Sequence, residues 1–266
     1  MTRRQFVRAS SGLLIPAALA AQQSTISGGA GGTSASVTTG AYADIGSVSG
    51  PIEGDVYRLT DSAYDEAVYD GSAWRYYYQG IKCVPMNTAG FAFSSATGSP
   101  SAATNGGVVE LTGPSFSTTR HLYETTYPSA PFTLRVVMRA ENLASDANWS
   151  VGLGIRESGT DEHVVHTMTP SDADRIVATW TNKTTFGSSL ATVARFSDAQ
   201  FSAFIMEYQD NGTNRFYRFS YDKGKIWQDY TEANTTFLTP DKIGIVLLNL
   251  VSGGPHWLYV YSWEVT

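Results

Sequence analysis

The chain has 266 residues, 16% of them charged and 12% aromatic, with a formal net charge of −6. That length suffices for one large β domain plus a small module, and the Gly/Ser/Thr-rich, aromatic composition suits strands and turns. Outside the extreme N-terminus there is no Lys/Arg cluster, which argues against a nucleic-acid partner, and the single Cys83 excludes an internal disulfide.

Residues 1–21 open with Arg3, Arg4 and Arg8, continue through an apolar run around Leu13-Leu14-Ile15, and end on Ala18-Leu19-Ala20 before Ala21. A basic start, a short apolar stretch and small residues at the exit predict a signal peptide, one too short to span a bilayer. Thr2-Arg3-Arg4-Gln5-Phe6 resembles the twin-arginine export signature. The chain is therefore expected to be exported to the periplasm, the cell surface or the medium, or to belong to a virion, with no membrane span in its mature form. Residues 22–44 predict a flexible Gly/Ser/Thr linker.

Residues 45–85 predict a small hairpin module. Asp70-Gly71-Ser72 separates Ala67-Val68-Tyr69 from Trp74-Arg75-Tyr76-Tyr77-Tyr78, and Asp-Gly between aromatic-rich runs is a hairpin signal. Gly54-Asp55-x-Tyr57, Thr60-Asp61 and Tyr69-Asp70-Gly71-Ser72-x-Trp74 resemble a short module of bacteriophage tail fibres. The resemblance implies a β-meander in which Tyr57 and Trp74 pack rather than bind a ligand. In the small-residue stretch 86–107, Phe91 and Phe93 suit a short strand.

From Val108 the strands become legible. Phe132, Leu134, Val136 and Met138 alternate with Thr133, Arg135 and Arg139, and Trp149, Val151, Leu153 and Ile155 alternate with Gly152 and Gly154. A period of two predicts half-buried strands, and the two glycines predict close approach by another group. Further strands are predicted over 163–168, 175–180, 201–208, 214–221, 242–249 and 256–265. In the last, Trp257, Tyr259, Tyr261, Trp263 and Val265 are expected on one face, with Trp257 and Trp263 in the core. Many short strands with regular turns predict an all-β sandwich over 86–266.

Strand order and texture from about residue 108 resemble the concanavalin A-like lectin/glucanase superfamily, an antiparallel jelly roll. The resemblance rests on the strands at Phe132 and Trp149, on Ser220-Tyr221-Asp222-Lys223-Gly224-Lys225-Ile226-Trp227, on Leu238-Thr239-Pro240-Asp241 and on Tyr259-Val260-Tyr261. It implies carbohydrate binding, glycan cleavage or a purely structural role.

Glycan hydrolysis needs two carboxylates about 5–9 Å apart, which on one strand means an alternating Glu-x-Asp-x-Glu run. No such run occurs; the nearest groups are Glu157 with Asp161 and Glu162, and Glu207 with Asp210. His163 and His166 face opposite sides of a strand and cannot share a metal. Asp172 and Asp174 offer calcium far fewer than the roughly six to eight oxygens it takes, so no cofactor is expected beyond this weak calcium candidate. For sugar binding, which pairs an aromatic plane with hydrogen bonders, the candidates are Trp180 with Asn182 and Trp149 with Asn148, each set against core packing of its tryptophan.

These features favour a non-enzymatic surface or virion protein that recognises a glycan or cell-surface polysaccharide. The alternatives are a structural protein self-associating through its sandwich, and a secreted glycan hydrolase or lyase.

Overall fold

The computed structural model describes residues 22–25, 36–60, 64–95, 98–113, 119–142, 149–169, 174–182, 184–193, 203–233, 237–249 and 256–266. The predicted signal peptide lies outside them. Six strands form an N-terminal sheet in sequence order: β1 (Gln22–Thr25), β2 (Ser36–Gly40), β3 (Val56–Leu59), β4 (Glu66–Tyr69), β5 (Trp74–Tyr78) and β6 (Ile81–Cys83). A 3-10 turn, Tyr42–Ser47, joins β2 to β3. Strands β1 and β2 fall in the stretch expected to be a linker, which corrects that expectation: β2 pairs in parallel with β3, Val37 opposite Val56. The β-branched run Val37-Thr38-Thr39 suits a strand, and Gly40 lacks the Cβ that would strike the Tyr57 hydroxyl.

The expected hairpin forms between β4 and β5. Asp70 Oδ1 accepts from the Ser72 and Ala73 amides at 3.0 and 2.9 Å, and Gly71 takes φ +90°. Tyr57 is buried and Trp74 packs beside it.

The remaining strands are β7 (Ala92–Ser95), β8 (Ser101–Asn105), β9 (Val108–Gly113), β10 (Thr119–Thr126), β11 (Phe132–Asn142), β12 (Trp149–Glu157) and β13 (Glu162–Thr169). They continue with β14 (Asp174–Trp180), β15 (Phe186–Val193), β16 (Phe204–Asp210), β17 (Asn214–Ser220), β18 (Gln228–Ala233), β19 (Lys242–Asn249) and β20 (His256–Val265). They make two seven-stranded antiparallel sheets, a front sheet β15-β14-β13-β12-β19-β10-β7 and a back sheet β18-β17-β16-β11-β20-β9-β8. The sandwich thus starts at β7, ahead of Val108. Strands β8, β10, β15 and β18 were not predicted; β8, β15 and β18 are sheet edges, paired on one side only, while β10 lies between β19 and β7.

Leu134, Val136 and Met138 meet Val151, Leu153 and Ile155 in one core between the sheets, as their alternation predicts. The last strand departs from its predicted phase. A bulge in the β11–β20 pairing sets Val137 opposite Ser262 but Met138 opposite Val260. Past it, Trp263 packs on the inner core, whereas half-buried Trp257 stays on the side opposite core residues Leu258 and Val260. Trp257 is therefore not a core residue and does not share a face with Trp263.

The N-terminal sheet packs on the outer face of the back sheet. Tyr64, Tyr78, Ile81 and Cys83 join Val108, Val137, Ile205 and Tyr261 in one buried cluster. Tyr78 stacks on Tyr261 at 3.7 Å, and the Tyr64 hydroxyl donates to the Tyr261 carbonyl at 2.6 Å. The molecule therefore has three layers of sheet.

Candidate functional site

Trp180 ends β14 on the outer face of the front sheet, in a buried cluster with Leu122, Val165, Ala178 and Val246. It is 3% exposed, so its ring offers no free plane to a sugar. The Arg120 guanidinium lies over that ring, 4.0 Å from its centre. Arg120 is itself fully buried. Its Nη2 donates to the Asn182 carbonyl, and its Nε and Nη1 have no hydrogen-bond partner. Burial lowers its pKa to about 9, against the pull of Asp161. Since a guanidinium stays charged at neutral pH, this burial is a cost.

The Asn182 side chain is committed to its own turn, accepting from the Thr184 and Thr185 amides at 2.9 Å. Trp180 and Asn182 adjoin, as their spacing suggests, but they close a hairpin rather than open a groove. The backbone of Trp149 pairs with that of Asn249, and its side chain, like all of Asn148, lies outside the described residues. Asp172 also lies outside them. Among the described residues no group of three His, Cys, Asp or Glu side chains is placed to hold a metal. His163 falls on the outer face of β13, while His166 reaches inward against Tyr217, edge to face at 5.9 Å.

An open pocket forms instead where four connections meet at one end of the sandwich. Tyr127 follows β10, Glu157 ends β12, Asp210 ends β16, and residues 237–240 lead into β19. With Arg215 of β17 they enclose about 470 Å³. Arg215 sits on the inward phase of its strand with Tyr217 and Phe219 and is 1% exposed. Its Nη2 donates to the Leu238 carbonyl at 2.9 Å. Its Nε lies 3.9 Å from Asp210 and its Nη1 3.7 Å from Glu232, and neither nitrogen makes a hydrogen bond.

The Tyr127 hydroxyl donates to Asp210 Oδ2 at 2.6 Å and lies 2.6 Å from the Tyr208 hydroxyl. Tyr217 donates to Glu232 Oε1 at 2.7 Å. Burial pushes the hydroxyls of Tyr127, Tyr208 and Tyr217 well above the usual tyrosine range, so at neutral pH they are donors rather than bases. Burial also raises the Glu232 carboxyl, against the lowering effects of Tyr217 and Arg215. The wall of the pocket thus combines two rings, Tyr127 and Phe237, with the carboxylates Asp210 and Glu157 and the guanidinium of Arg215.

Glu157 and Asp210 come from the two carboxylate groups noted in the sequence, one from each, and from different sheets. Glu207, by contrast, faces outward and pairs with Arg218 at 2.5 Å. Tyr127, Arg215 and Phe237 had not been singled out. One signal for Arg215 was present: a charged residue in the core phase of the alternating run 215–219 needs buried partners.

No family model matches the sequence, and no curated protein matches it. Solved structures do match its fold. The β-glucanase of Bacillus licheniformis is 15% identical, with 66% of this chain and 91% of that chain covered and a TM-score of 0.45. The exoplasmic/lumenal domain of VIP36, in a form bound to Ca2+ and Man3GlcNAc, is 9% identical over 69% of this chain and 86% of that one, at 0.47. Alginate lyase A1-II′ is 13% identical over 60% and 79%, at 0.39.

This chain folds as an antiparallel jelly-roll β-sandwich. The sequence-based expectation that it is not an enzyme is corrected: a β-glucanase and alginate lyases are among the solved structures it matches. A missing single-strand carboxylate run does not exclude catalysis, because Glu157 and Asp210 reach one pocket from separate strands. No helix among the described residues is long and apolar enough to cross a membrane.

Proposed function

We propose that this chain recognises carbohydrate and that a saccharide occupies the pocket at the end of the sandwich. One observation carries this proposal: the open pocket sets two aromatic rings, Tyr127 and Phe237, beside the carboxylates Asp210 and Glu157. The C–H faces of a sugar ring pack on aromatic planes, while its hydroxyls donate to carboxylates. A closed hydrophobic core does neither. The basic, apolar and small-residue succession of residues 1–21 supports export, which would place the pocket among envelope or extracellular glycans.

The test is binding of the full chain to a panel of polysaccharides, with Thr239→Trp as the blocking variant. Thr239 is exposed at the pocket wall, so an indole there fills the space without touching the core. The expected result is retention of at least one saccharide by the wild type and loss by Thr239→Trp at an unchanged melting temperature. If the folded wild type binds no saccharide, or the variant binds as well, the assignment fails. Assaying the same mixtures for reducing ends or unsaturated products shows whether recognition is coupled to cleavage.

A further inference from the structure

Resting on the saccharide assignment above, the structure assigns a charge preference to this pocket: we infer that it accepts neutral or amino sugars and excludes uronic and sulfated ones. Among the described residues, Arg215 is the only cation that lines the pocket. Its charge is already shared by Asp210 at 3.9 Å on one side and Glu232 at 3.7 Å on the other. Glu157 adds a further carboxylate; it accepts the Thr239 amide at 2.9 Å, and among the described residues no cation pairs with it.

One guanidinium therefore sits against Asp210 and Glu232, and Glu157 is a further carboxylate in the lining. Leaving Glu232 aside, the lining holds one cation, Arg215, and two carboxylates, Asp210 and Glu157, an excess of negative charge. A ligand carboxylate would meet Asp210 and Glu157 in a partly buried site where like charges repel more than in water. A protonated amine would meet those same carboxylates favourably.

The experiment is titration of the full chain with size-matched neutral β-glucan, chitosan and polyuronate oligosaccharides at low and high salt, repeated with Glu157→Gln. The neutral or amino oligosaccharide is expected to bind at least tenfold more tightly than the polyuronate at low salt. That gap narrows severalfold in salt and in Glu157→Gln. Polyuronate binding as tight as or tighter than the neutral ligand overturns the charge preference while leaving the saccharide assignment standing. A gap unmoved by Glu157→Gln overturns the role of Glu157. Binding of none of the three by folded protein overturns the saccharide assignment and the preference with it.

Discussion

Each outer face of the two sandwich sheets carries a buried patch, closed by different means. The back sheet is covered by other chain: the N-terminal sheet lays Tyr64, Tyr78, Ile81 and Cys83 onto Val137, Ile205 and Tyr261. The front sheet covers itself. Gly154 of β12 lies directly opposite Gly244 of β19, and without side chains there Leu122, Val165 and Val246 close over the gap. A Cβ on Gly154 would stand 2.6 Å from Val246 Cγ2, and one on Gly244 2.6 Å from Glu124 Cα. A docked face can come away while each layer keeps its own hydrogen bonds; a self-closed face has nothing to release. The outer patch around Trp180 is thus sealed in this conformation, whereas the pocket at the end of the sandwich is open and polar.

The largest expected effect separates the two means of closure. Gly244→Val meets backbone, which cannot rotate away, so its cost exceeds the roughly 1–3 kcal/mol usual for overpacking, and no folded protein should be recovered. Gly46→Ala, in the 3-10 turn with nothing within 4 Å, should melt with the wild type; equal melting of both variants would break the comparison.

Next comes the docked face. Tyr64→Ala should cost about 3–5 kcal/mol in denaturant titration, and Tyr64→Phe, which loses only the hydroxyl bonds, about 1–2 kcal/mol. Burial pushes the Cys83 thiol up to about 12, so thiol reagents at pH 8 should label it slowly in the wild type and faster in Tyr64→Ala.

The same layer sets an alkaline limit. Burial raises Tyr64, Tyr76 and Tyr261 above the ordinary tyrosine value of 10.0, so the folded state holds their protons after the unfolded chain has lost them. Their contribution is complete below pH 10 and is lost as pH rises beyond it. Denaturation midpoints should accordingly fall from about pH 10 upward, and a flat profile to pH 11.5 would count against a buried tyrosine layer.

The smallest expected effect is on the self-closed face. Arg120→Met keeps contact with Trp180 and removes a buried charge that lacks a carboxylate at hydrogen-bond distance, so stability should change by no more than about 1 kcal/mol. A loss of several kcal/mol would show that the guanidinium holds the hairpin at Asn182 in place.

The sequence by itself determined the all-β class and most of the sandwich strands. It also determined the inward faces of β11 and β12, because alternation at period two assigns Leu134, Val136, Val151 and Leu153 to the core wherever the strands sit. The turn at Asp70 was legible because it depends on local backbone geometry, and the close approach at Gly152 and Gly154 because a glycine within a strand leaves room for atoms of its neighbours. Only the tertiary structure decided what local geometry does not contain. The bulge opposite Val137 moved Trp263 inward and left Trp257 outside, since an extra residue inverts the alternation beyond it. Burial took Trp180 away from solvent beneath Arg120. And the pocket exists because a jelly roll gathers Tyr127, Glu157, Asp210, Arg215 and Phe237, far apart in sequence, at one end of two sheets.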